Sequence, residues 1–141
     1  MRFKVLVVCV LLLLGTGSPV RAASHTTAFA VVNAGSGPGW ALVAKATRIQ
    51  PGGPETVTPV DLQRPADTPI APGADITITA PLYAGDLEDW LAGAKVTSAE
   101  FDRQLREADQ RYWPLSDRAR MFEVTFDDSG RIVRLHHIFS P

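Results

Sequence analysis

Apolar positions fall into three regimes along this chain. The first is an unbroken run, Val5 to Leu14, and no later stretch is as apolar. The second, from His25 to Ala80, consists of short runs rich in Val, Ile, Thr and aromatics: TTAFAVVN, WALVAKATRI, TVTPVDL and ADITITA. Between them lie the turn-forming stretches NAGSGPG, QPGGPE and PADTPIAPG. A period of two is clearest from Asp75 to Thr79, where Ile76 and Ile78 share one face and the polar residues share the other. These runs predict four strands. Pro59 has no amide to give a ladder, so its strand belongs at an edge or at a bulge.

The third regime starts near residue 85 and changes to helical spacing. Asp86 is placed to cap a short helix carrying Leu87, Trp90 and Leu91, with Gly93 as its stop. Thr97-Ser98-Ala99-Glu100 has the spacing of a capping box, and Phe101, Leu105, Ala108 and Tyr112 then recur on one stripe up to Pro114. Asp102 with Arg106, and Glu107 with Arg111, stand four apart and predict ion pairs on a solvated outer face.

After Pro114 the period returns to two. Phe122, Val124 and Phe126 alternate with polar residues, as do Val133, Leu135, His137 and Phe139. Placing both apolar sets on one face pairs Phe126 with Val133, Val124 with Leu135 and Phe122 with His137, and closes a hairpin around Ser129-Gly130. Adjacent strand residues point to opposite faces, so His136 and His137 separate. The expected architecture is a β-rich α+β domain: about six strands in an antiparallel sheet or immunoglobulin-like sandwich, with a helical insertion over about 85–113 before the C-terminal hairpin. Ala71-Pro72-Gly73 before the alternating ITIT, and the strand ending in Asn33, are generally similar to secreted sandwich domains. That likeness is one of fold and carries no function.

The first regime is a targeting signal. Arg2 and Lys4 precede the apolar run, and Gly15, Gly17 and Pro19 follow it. Ten apolar residues rise only about 15 Å as a helix, too short for a bilayer core. Val20 and Ala22 suit cleavage after Ala22, which divides the chain into a signal peptide, 1–22, and a single domain, 23–141. Removing it takes away Cys9, the only cysteine, so neither disulfides nor thiol chemistry is expected in the mature chain. The loss of Arg2, Lys4 and Arg21 also lowers the formal net charge from −1 to about −4. An acidic surface argues against nucleic acid or an anionic membrane as partner. The mature protein is expected in the periplasm or outside the cell, with no membrane insertion.

Few residues suggest chemistry. Glu123 faces His136 across the hairpin, with Arg134 beside them, and a carboxylate next to an imidazole favours its protonated form, which can tune it for proton transfer. Asp128-Ser129-Gly130 resembles the Asp-Ser/Thr-Gly of aspartic proteases over three residues only. Asp127 and Arg131 flank it and no second copy occurs, so it is read as a turn. The glycines of NAGSGPGW lack phosphate-loop spacing. Cleavage after Ala22 would expose Ala23-Ser24-His25, whose amine, two amides and imidazole suit square-planar Cu(II) or Ni(II). Trp113 is the aromatic expected to mark a partner surface.

The resulting expectation is an exported, non-enzymatic binding or accessory protein of a bacterial envelope or the extracellular space, taking a protein or small-molecule ligand. No cofactor and no catalytic residue is assigned. The alternatives are a small hydrolase using Glu123 and His136, and Cu(II) or Ni(II) binding at Ala23, Ser24 and His25.

Overall fold

The computed structural model describes residues 25–51, 57–83, 93–111 and 116–138. The expected signal peptide and cleavage site, Ala23, Ser24, the helix expected from Asp86 to Leu91, Tyr112 and Trp113 lie outside these residues. Among the described residues there are seven strands: β1 (Thr26–Ala34), β2 (Trp40–Pro51), β3 (Val57–Leu62), β4 (Ala66–Ile78), β5 (Ala94–Val96), β6 (Met121–Phe126) and β7 (Ile132–His137). Helix α1 (Ser98–Arg111) and a 3-10 turn (Asp117–Arg120) separate β5 from β6.

The strand pairings make a closed circuit. β1 runs antiparallel to β2 on one side and β6 on the other, and β6 forms a hairpin with β7. β7 then runs parallel to β4, whose opening residues, Ala66 to Pro69, pair back to β2. Five strands thus close a barrel, with β3 on the free edge of β2 and β5 on that of β4. The fold is β-rich α+β, as the sequence implies. It is not the expected all-antiparallel sheet or immunoglobulin-like sandwich, because β4 and β7 are parallel neighbours. A parallel pair needs a long crossover, and the segment carrying α1 and β6 supplies it.

Two strands are long enough to serve two neighbours. β2 holds β1 and β4 with its first half and β3 with its second. β4 begins eight residues earlier than the ITIT pattern suggests, running through Pro69 and Pro72. Those prolines fall where the strand leaves β2 and joins β7, and the register with β7 shifts between Ile70 and Asp75. A strand changing partners has least need of the amides that proline lacks. Pro59 lies on edge strand β3, as expected.

The core combines alternating strand residues with the apolar stripe of α1. Ala30, Val32, Val43, Ile76, Val124 and Leu135 are buried with Phe101, Leu105 and Ala108 of the helix. Phe101 meets Phe122 edge to face, with centroids 5.9 Å apart, so α1 packs where β6 begins. Phe126 lies four residues, roughly 13 Å, further along that strand, towards the barrel's other end.

The capping box forms by half. The Glu100 amide donates to Thr97 Oγ1 at 3.2 Å, while the Glu100 carboxylate accepts from Arg103 and Gln104. The Glu107 and Arg111 pair forms as expected. The Asp102 and Arg106 pair also forms but corrects the solvated-face reading: Asp102 is buried, and Arg106 reaches on to the Gly35 carbonyl at 2.8 Å. That bond anchors the helix to the β1–β2 loop.

The hairpin keeps the predicted register from Phe122/His137 through Thr125/Arg134. Beyond that it changes: Phe126 pairs with Ile132, not Val133, and a bulge at Val133 absorbs the difference. The turn is the cause. The Asp127 amide donates to Arg131 O and the Gly130 amide to Asp127 O, leaving a three-residue loop with Gly130 at φ +85°. Asp127 accepts from the Ser129 amide, the Ser129 hydroxyl and the Arg131 amide, and its second oxygen accepts from Arg131 Nε. Those bonds, Ser129 foremost, hold its carboxyl far below the usual range. Asp128-Ser129-Gly130 is therefore a turn, as expected.

Candidate functional site

The end of the barrel remote from α1 opens into a cleft of about 390 Å³. Its walls come from Val43 and Lys45 on β2, the Gln63-Arg64 segment before β4, and Ala66 and Thr68 at the start of β4. Thr26, Phe126 and the Asp127–Gly130 turn complete the rim.

Lys45 shares the parity of Ala41 and Val43, which are buried in the barrel. One step past the end of the core, that inward position can hold a polar head. The Lys45 ammonium stands 4.4 Å from the Phe126 ring centroid, its stem over apolar surface and its charge in the opening. Arg64 also lines the cleft, and it follows Gln63, whose amide donates to the Lys45 carbonyl at 2.8 Å. Eight described Arg and Lys side chains lie within 3.9 Å of a carboxylate oxygen. Lys45 and Arg64 have none in that range among the described residues, and both line this cleft. Asp127, on the same rim, is already held by Ser129 and Arg131.

The residues singled out from the sequence lie elsewhere. Glu123 and His136 are cross-strand partners on the outer face, with Thr77 on the far side of His136. The Glu123 carboxylate accepts from Arg134 at 3.4 Å, and His136 makes no side-chain hydrogen bond among the described residues. Lys95, Asp75, Arg134 and Glu123 form a charge ladder across β5, β4, β7 and β6, with separations of 2.8, 3.9 and 3.4 Å. The Lys95 bond, first among its causes, lowers the Asp75 carboxyl below its ordinary value. Exposed pairs of this kind contribute little to stability. Of the expected metal-binding set only His25 is described. It is exposed immediately ahead of Thr26, on the cleft side of the barrel.

His137 is the packed, hydrogen-bonded histidine its position implies. It is 2% exposed, and its ring lies 4.8 Å from that of Phe122. Nε2 donates to the Ala119 carbonyl at 2.9 Å, because a carbonyl can only accept, so Nδ1 accepts from the Thr79 amide at 3.1 Å. The Thr79 hydroxyl lies 2.7 Å from the same nitrogen. Burial pushes the imidazole down to about 4, so it is neutral near pH 7. Its role is to join β7, the end of β4 and the 3-10 turn.

Sequence reasoning missed Lys45, Arg64 and Phe126. A signal for Lys45 was present, a cation at the inward parity of β2. Arg64 lies in a connection and carries no such mark. Among the described residues no three His, Cys, Asp or Glu side chains are grouped to hold a metal, and no helix is long and apolar enough to cross a membrane. Comparison with protein-family models, curated proteins and solved structures finds no match.

Proposed function

We propose that the mature chain is an exported, non-catalytic binding protein that holds a small ligand in the mouth of its barrel. One observation carries this reading: the barrel end not packed by α1 is an open cleft, and it is lined by Lys45 and Arg64, neither of which has a carboxylate within 4.0 Å among the described residues. Its volume falls in the range of small-molecule sites. The leader-like start supports export. A five-stranded barrel with one helix is also the plan of OB folds, a likeness of architecture that brings no ligand with it.

The test is an amide correlation spectrum of the 15N-labelled mature protein, recorded with mixtures of small polar fragments. Saturable shifts at Thr26, Lys45, Thr68 and Gly130 are expected. Shifts confined to the Glu123 and His136 face, or turnover of a fragment, would contradict the reading. A second reading, Cu(II) or Ni(II) binding by Ala23-Ser24-His25, is favoured by the exposed position of His25 ahead of β1.

A further inference from the structure

We infer that the ligand held at the barrel mouth is a small organic anion, its carboxylate or phosphate seated between Lys45 and Arg64 and its apolar part against Val43 and Phe126. This rests on the mouth being the binding site.

The charge distribution carries the argument. The mature chain is acidic overall, so its general field repels anions, and an anion site needs local cations that are not already neutralised. Most of the described cations are taken up by carboxylates, on α1, at the hairpin turn and along the outer ladder. Lys45 and Arg64 have no carboxylate within 4.0 Å among the described residues. They are placed side by side by the bond from the Gln63 amide to the Lys45 carbonyl, one on a barrel strand and the other in the segment leading into β4. That bond holds the two backbones next to each other, and both side chains line the cleft.

The rest of the cleft narrows the ligand. Asp127 shares the rim, but both of its oxygens are engaged by Ser129 and Arg131. Asp128 also lines the cleft, and its charge directs an anion towards the Lys45 and Arg64 side chains. Val43 and Phe126 are buried apolar residues at the floor, and Thr26, Gln63 and Thr68 offer hydrogen bonds around it. A volume of about 390 Å³ suits a compact molecule with one charged end. Lys45 supplies a point charge and Arg64 a planar fork, and together they serve either oxyanion.

The experiment titrates 15N-labelled mature protein with benzoate, phenyl phosphate and benzyl alcohol, following the amides around the mouth. Both anions are expected to bind there, at least about tenfold more tightly than the neutral alcohol, and more weakly as salt is raised. Preference for benzoate or for phenyl phosphate identifies the anionic group. Lys45→Gln and Arg64→Gln should each weaken anion binding about tenfold, whereas Arg134→Gln, on the outer ladder, should leave it unchanged. Lys45 and Arg64 are exposed, and a thermal melt of each variant checks that the fold is kept. Equal affinity for benzyl alcohol, or anion binding indifferent to both substitutions, would overturn the inference while leaving the mouth as the site. Shifts away from the mouth for all three probes would overturn the site itself.

Discussion

Acidifying the protein from pH 7 towards pH 4 should weaken its fold through one side chain, His137. In the folded state the imidazole is neutral, accepting from the Thr79 amide and donating to the Ala119 carbonyl, and its pKa is pushed down to about 4 from the ordinary 6.5. The unfolded chain therefore takes up the proton first. The stabilisation is complete above about pH 6.5 and is lost as pH falls through the folded value. A difference of about 2.5 pH units corresponds to roughly 3 kcal/mol, or about 1.4 kcal/mol per pH unit across the window. The lowered carboxyls, Asp127, Asp75 and Glu100, act at more acidic pH, because their stabilisation is lost only below their ordinary 3.8 to 4.5. Urea unfolding at pH 7, 6, 5 and 4.5 measures the effect, with an expected fall in the midpoint of about 1–2 M. His137→Gln keeps an amide donor but cannot titrate. It should cost about 1–3 kcal/mol at pH 7 and remove most of the slope between pH 6.5 and 4.5. Equal slopes in the two proteins, or a His137 resonance titrating near pH 6.5, would refute the reasoning.

Three further outcomes follow from other parts of the fold. Phe101→Ala empties the contact between α1 and Phe122 and should cost about 3–5 kcal/mol in a urea melt, a loss large enough to separate core packing from surface effects. Gly35→Ala should cost about 1–3 kcal/mol in the same assay, since a Cβ there would lie 2.7 Å from the Ala41 amide nitrogen and the Trp40 carbonyl carbon. A chain beginning at Ala23 should develop the visible absorption of square-planar Cu(II) at one equivalent, and His25→Ala should abolish it. An unchanged spectrum in that variant removes the N-terminal metal reading, and mass spectrometry of the exported protein settles where the chain begins.

The hairpin shows what the sequence can and cannot disclose. Period-two spacing is enough to place Phe122 opposite His137 and Val124 opposite Leu135, and to send the two histidines to opposite faces. The bulge at Val133 is set by something the apolar pattern does not encode, the bonds that Asp127 makes within the turn and the positive φ of Gly130. The prolines of β4 similarly suggest a loop, because only the pairings reveal that the strand changes neighbours there. The parallel contact of β4 with β7 joins segments with α1 and β6 between them, and no local signal announces it. The cleft is less legible again. Lys45 can be noticed as a cation on the inward parity of β2, but that no described carboxylate pairs with it, and that Arg64 lines the same cleft, are properties of the folded chain alone.

The most direct test of the central claim is an intermolecular Overhauser measurement between bound benzoate and the side chains of the mature protein. Contacts from the benzoate ring to Phe126 and the Val43 methyls, lost in a Lys45→Gln/Arg64→Gln double variant, are the predicted result. Contacts to the Thr77 or Thr125 methyls, on the outer face beside Asp75 and Glu123, would contradict it.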